Sequence, residues 1–214
     1  MKTIIISLGG SIIADDNINI QFLKGFKKII EKYNYRFIIV TGGGKTARKY
    51  IDAARKLKIN ADDEDLIGIA ATRLNAELVR SILNQRNPIL YEPKKVNQRI
   101  ILSGGYKPGN SSDYVTTLFA EKYNSTEIIN MTKIGYIYDK NPDLKDAKPL
   151  KNITWKEMQK LVGTKWVPGK NVPFDPIATQ KAMRKNYKVI ILNGLNNLDK
   201  YLSNKSFKGT IIEK

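Results

Sequence analysis

Residues Thr41 to Tyr50 read TGGGKTARKY and directly follow the apolar run Phe37-Ile38-Ile39-Val40. Three glycines between a strand-like and a helix-like run let the backbone turn sharply, approach a ligand closely and aim N–H groups at an anion. Lys45 and Arg48 fall in the opening of the helix that follows, where cations oppose the helix dipole and call for a compensating negative ligand. Phosphate is the expected anion. A glycine-rich turn with two solvated charges accounts for this stretch equally well when it is taken alone, because short glycine motifs recur by chance.

Two more such turns change the balance. The β-branched run Thr3 to Leu8 reads as a buried strand and leads into Gly9-Gly10-Ser11. Ile100-Ile101-Leu102 leads into Ser103-Gly104-Gly105, then through Tyr106-Lys107-Pro108-Gly109-Asn110-Ser111-Ser112-Asp113 into the helical stretch Tyr114 to Tyr123. In an open α/β sheet ligands bind at the carboxyl ends of the strands, so three loops at three strand ends can converge on one site.

Around these turns the chain alternates strand and helix. Further strands are expected at Arg36 to Thr41, Arg99 to Leu102, Glu127 to Met131, Lys188 to Leu192 and, as a short terminal one, Thr210 to Ile212. Helical spacing marks Ile20 to Tyr33, Lys45 to Leu57, Asp113 to Tyr123, Thr154 to Val162 and Asp175 to Asn186. Asp62 to Leu83 reads as a long helical segment, in one piece or two, with Leu66, Ile69, Ala70, Leu74, Leu78 and Ile82 on one side. The pattern predicts an α/β fold with a mostly parallel sheet covered on both faces. With 214 residues and no repeat or obvious linker, a single domain is expected.

Composition narrows the chemistry. The chain has neither cysteine nor histidine, so carboxylates, Lys, Arg, hydroxyls and backbone N–H groups must do any chemistry, and no protein metal site is assigned. No apolar run has membrane-spanning length and Met1-Lys2 runs straight into a strand, so a soluble cytoplasmic protein without a membrane partner is the expectation. The net charge of +17 attracts polyanions. Its lysines are spread along the chain without a dense basic block, which argues against a specific nucleic-acid partner.

Asp65 stands at the edge of an apolar helix that carries Gly68 one turn later. Its carboxylate could accept hydrogen bonds from ribose hydroxyls. Acidity at a helix start, shared with Asp62, Asp63 and Glu64, explains it better when it is taken alone.

In sequence order, Gly9-Gly10-Ser11, Gly42 to Tyr50, Asp65-Leu66-Ile67-Gly68 with Thr72-Arg73-Leu74-Asn75-Ala76, Pro108 to Asp113, and Asp175-Pro176 resemble the amino acid kinase family. The set is most similar to the archaeal-type UMP kinase branch, from the first strand to the last. The resemblance implies a three-layer αβα sandwich, a homo-oligomer (hexameric in this branch), and transfer of the γ-phosphoryl of ATP to UMP with Mg2+. It divides the chain into an acceptor part over roughly 1–125 and an ATP part over roughly 126–214. It further implies that Ser7, Leu8, Gly9, Gly10, Ser11 and Gly44 cradle the ATP phosphates, and that Thr132, Lys133, Tyr138 and Asn141 hold the adenosine. By the same resemblance Gly43 would contact UMP, Asp65 would hold its ribose, and the loop Tyr106, Lys107, Pro108, Gly109, Asn110, Ser111, Ser112 would wrap uracil and the acceptor phosphate. The resemblance also implies that Arg48 neutralises phosphate charge and that Asp113 matches an acidic residue that organises catalytic cations or magnesium, although a helix N-cap explains an aspartate there as well.

The chain departs from the family pattern in places. Ser7 replaces a common lysine, so another cation must serve the transferring group; Lys45 is the first candidate, with Lys133 and Lys170 behind it. Gly135-Tyr136 stand where Asp-Gly is usual, Asn141 stands for Asp, and a helix expected between Asn87 and Arg99 is missing or trimmed. Two rival readings are an isopentenyl phosphate kinase, which relies on a histidine this chain lacks, and a non-catalytic nucleotide or oxyanion storage protein.

Overall fold

Strand β1 (Thr3–Leu8) sends successive side chains to opposite faces. Ile4, Ile6 and Leu8 enter one core and Ile5 enters another. The computed structural model describes residues 1–141, 143–165 and 172–214. After β1 come a short α1 (Gly10–Ile13), α2 (Ile20–Lys32), β2 (Arg36–Thr41), α3 (Gly44–Lys56), α4 (Ala61–Ile82), β3 (Ile100–Ser103), α5 (Ser112–Tyr123) and β4 (Glu127–Met131). The rest comprises β5 (Ile137–Tyr138), β6 (Pro149–Leu150), β7 (Asn152–Thr154), α6 (Trp155–Val162), α7 (Pro176–Arg184), β8 (Lys188–Leu192), α8 (Leu195–Leu202) and β9 (Gly209–Glu213).

Seven strands form one sheet in the order β3-β2-β1-β4-β8-β9-β7. Only the β8–β9 pair is antiparallel. Phe22, Phe26 and Ile30 of α2, Ala76 and Val79 of α4, and Leu198 of α8 cover one face. Val115 and Phe119 of α5, Met158 of α6 and Ala178 and Ala182 of α7 cover the other, completing three layers.

Register then fixes where a site can lie. Leu8 stands opposite both Thr41 and Met131, Val40 opposite Ser103, and Met131 opposite Leu192, so these parallel strands end along one edge. From β1 the chain steps outward to β2 and β3, and then resumes with β4 on the other side of β1. Connections leaving β1 and β4 in opposite directions open a crevice at that switch point.

Several expectations change in detail. α4 is continuous through Gly68, where an added Cβ would lie 3.1 Å from the Ile51 side chain of α3. Its buried face runs through Ile69, Ala76 and Val79, whereas Leu66 and Leu74 are 49% and 63% exposed. The expected stripe therefore splits: Ile69 is buried and Leu78 and Ile82 pack against the core, while Leu66, Ala70 and Leu74 face away from it. Asp175 caps α7 by accepting from Ala178 N–H, with Pro176 opening the helix. No helix occupies 87–99; Tyr123 Oη pins that strap by accepting from Val96 N–H at 2.8 Å and donating to its carbonyl at 3.0 Å. Among the described residues no helix is long and apolar enough to cross a membrane.

Candidate active site

The first two glycine loops touch backbone to backbone. Gly42 N–H donates to the Leu8 carbonyl at 2.9 Å, and a Cβ on Gly10 would fall 2.1 Å from the Gly44 nitrogen. Gly44 has a φ of +63°, and a Cβ there would meet the Gly10 and Ala14 carbonyls at 2.6 and 2.7 Å. Left-handed backbone and absent space together demand glycine. Gly9 N–H donates to the Met131 carbonyl at 2.9 Å, so this N–H joins the loops after β1 and β4. Leu8 is wholly buried in the core and contributes through its backbone.

A cavity of about 250 Å³ opens over these loops. Gly43, Gly44 and Arg48 of the β2–α3 junction, Asp65, Gly68 and Thr72 of α4, and Lys107, Asn110, Ser111 and Ser112 of the β3–α5 loop line it. Asp65 Oδ2 accepts from Gly109 N–H at 2.7 Å, which ties α4 to that loop. Thr72 Oγ1 accepts from Gly105 N–H, Arg73 donates to the carbonyls of Gly105 and Tyr106, and Asn75 donates to the Gly42 carbonyl. α4 is thus a bar to which two ligand-facing loops are bonded. Sequence alone marks the Thr72–Ala76 stretch but not these separate duties of Thr72, Arg73 and Asn75. Tyr106, Pro108 and Gly109 shape the loop outside the cavity lining, while the buried Asn110 Oδ1 has no hydrogen-bond partner.

At the floor, Ser7 Oγ donates to Asp113 Oδ1 at 2.8 Å and Asp175 N–H donates to Asp113 Oδ2 at 3.1 Å. The helix N-cap is Ser111, whose hydroxyl accepts from Tyr114 N–H, so capping does not account for Asp113. Burial pushes the Asp113 carboxyl up to about 6, with the Ser7 hydroxyl opposing that rise and the nearby Asp175 charge adding to it. Asp175 is 3% exposed, its carboxyl is likewise raised by burial, and its Oδ2 lacks a partner.

A second cavity, of about 390 Å³, is lined by Ser11, Asp15, Lys45, Thr132 and Lys133. Arg48 and Val172 belong to the walls of both. Lys45 Nζ donates to Asp16 at 2.9 and 3.0 Å, and Lys133 Nζ donates to Asp15. The Lys133 hydrogen bond holds the Asp15 carboxyl below the usual range, and the Asp16 bond raises the Lys45 ammonium. Asp15 and Asp16 were not singled out from the sequence. Their signal was two adjacent acids just past a glycine turn in a strongly basic chain. Lys170 lies outside the described residues. Tyr138 and Asn141 are not brought to either wall: Tyr138 pairs with Pro149 in the β5–β6 hairpin, and Asn141 Oδ1 accepts from Asp143 N–H in a turn.

Residues 2–89 and 94–193 match the Amino acid kinase family. The uridylate kinase of Thermoplasma volcanium is 39% identical over 225 aligned residues, covering 100% of this chain and 98% of that protein. That of Thermoplasma acidophilum is 36% identical, covering 99% and 97%. Among solved structures, the uridylate kinase of Archaeoglobus fulgidus superposes with a TM-score of 0.77 at 29% identity, covering 99% of this chain and 100% of that one. The matched spans contain every residue named above for the two cavities, and the chain belongs to the amino acid kinase family.

Proposed function

We propose that this chain transfers the γ-phosphoryl group of ATP to UMP, giving UDP and ADP. The observation that carries the reading is that two cavities meet at one cation, Arg48. The smaller, with Asp65 and the Lys107–Ser112 loop, takes UMP; the larger, with Lys45 and Lys133, takes the phosphate chain of ATP. Full-length relatives named uridylate kinase support UMP as the acceptor.

Phosphoryl transfer asks little covalent work of a protein and depends on positioning and charge neutralisation. The acceptor is already an anionic phosphate, so a chain without histidine loses nothing. Arg48 spans donor and acceptor phosphates, Gly43 and Gly44 let them approach the backbone, and Asp65 holds the ribose while anchoring the loop over the base. Asp113 and Asp175 form the acidic floor.

Magnesium is held by one or two carboxylates together with substrate phosphates. The partnerless, buried Asp175 Oδ2 beside Asp113 fits that description, and these two residues would hold the ion, which supplies charge neutralisation when bound.

The working form is a homo-oligomer, a hexamer. α3, its C-cap and α4 expose Tyr50 by 65%, Leu57 by 75% and Leu74 by 63%, an apolar surface that association removes from water. The functional reading is tested by a coupled assay offering ATP with UMP, CMP, dUMP or isopentenyl phosphate. Highest kcat/KM with UMP supports it, and preference for isopentenyl phosphate or absence of turnover refutes it.

A further inference from the structure

We propose that Asp15 is a positioning residue that gathers Lys45 and Lys133 into one cationic cluster at the donor cavity. The inference rests on the reading of that cavity as the phosphate-chain site.

The two lysines reach the cluster from different elements. Lys45 stands near the start of α3 beyond β2, and Lys133 follows β4, with β1 between those strands in the sheet. Asp15 divides its oxygens between them: Oδ2 accepts from Lys133 Nζ, and Oδ1, buried and without a hydrogen bond of its own, lies 3.4 Å from Lys45 Nζ. Two ammonium groups held close repel each other, and a carboxylate between them offsets that repulsion. A pair this exposed adds little to stability, so its effect is on where the charges sit.

The carboxylate itself is held in place. Ala14 N–H donates to the Gly10 carbonyl at 2.8 Å, Asp15 N–H to Asn17 at 3.2 Å, and Asn19 N–H to Ile13 at 2.8 Å, while Ala14 bridges Ile18. The turn that presents Asp15 is thereby fixed to the glycine loop beneath both cavities. Asp16 is different: its side chain is 71% exposed and touches Lys45 alone of the two lysines. Asp113 is engaged by Ser7 and the Asp175 N–H, and among the described residues no ion pair joins it to a cation. Of the acidic residues near the two cavities, Asp15 is therefore the one placed to arrange this pair of lysines.

Two measurements on the full chain test this. With lysine-15Nζ labelling, the ammonium resonances of Lys45 and Lys133, assigned from Lys45→Met and Lys133→Met, should be protected from exchange in the wild type. Asp15→Asn should remove the protection of Lys133 and weaken that of Lys45, whereas Asp16→Asn should affect Lys45 alone. Unchanged Lys133 protection in Asp15→Asn overturns the proposal. In steady-state assays Asp15→Asn should lower kcat about tenfold and leave KM for UMP within about twofold, with partial recovery in Asp15→Glu. In a Lys133→Met background the same change should add less than about twofold, because no pair is left to gather and Asp16 still holds Lys45. Wild-type kcat in Asp15→Asn, or a full second loss in the Lys133→Met background, also overturns it. If the wild type transfers nothing to UMP, the functional reading fails, and the ammonium resonances still decide whether Asp15 gathers the lysines.

Discussion

Ser7 and Asp113, 106 residues apart, share a hydrogen bond of 2.8 Å at the base of the cavity that Asp65 lines. A hydroxyl cannot compensate a buried carboxylate as a cation would, and the Asp113 carboxyl accordingly rises to about 6.

That rise has a stability consequence of definite sign. The folded state holds the proton more tightly than the unfolded chain at 3.8, so the stabilisation is fully present below about pH 3.8 and is lost as pH rises through about 6. Asp113→Asn, which cannot ionise, should therefore melt several degrees above the wild type at pH 8, since a rise from 3.8 to about 6 corresponds to up to about 3 kcal/mol. The two should converge below about pH 4. Melting curves in chelator without nucleotide check this; equal differences at both pH values contradict it.

Arg48 forms part of both walls. Loss of a charge-assisted phosphate contact removes roughly 1.5–3 kcal/mol, so Arg48→Ala should reduce kcat/KM by about ten- to a hundredfold. Its melting temperature should hardly move. Wild-type kinetics in this variant would remove Arg48 from the site.

Asp65 has two duties on one carboxylate, since Oδ2 already holds Gly109 N–H. Asp65→Asn should raise KM for UMP about tenfold, through the lost charge-assisted acceptor and a looser loop, and leave KM for ATP unchanged. Parallel titration of both substrates decides it, and an equal rise in the two constants contradicts the assignment.

Gly44→Ala tests the contact between the glycine loops. Its φ of +63° and the carbonyls 2.6–2.7 Å from the added methyl leave no room to relax. The variant should lose more than about 2 kcal/mol of stability, a fall in melting temperature of about 5 °C or more. A wild-type melting curve would show that the loops can separate.

The fold was legible because its signals are local. β-branched runs ending in glycine mark β1 and β2, and the 3.6-residue spacing of Phe22, Leu23, Phe26 and Ile30 marks α2. α4 misled because Leu66 and Leu74 keep helical spacing on a face that the sheet does not cover. Periodicity finds a stripe but not what lies against it. For the candidate site, loops were readable and pairings were not. Gly42 to Arg48 and the Lys107–Ser112 loop do meet at one cavity. That Asp15 meets Lys133 across 118 residues, or that Gly9 spends its N–H on Met131, depends on strand order, which no short motif encodes. Tyr138 and Asn141 came from loop resemblance alone, at a segment where Gly135-Tyr136 already departed from the pattern.

Direct transfer between the two cavities that meet at Arg48 is checked by a 31P NMR time course of the wild-type protein with ATP, UMP and magnesium. The phosphorus signals of UDP and ADP should grow together in equal amounts as ATP and UMP disappear. Release of inorganic phosphate with UMP unchanged, or no reaction under conditions in which both nucleotides bind, would contradict it.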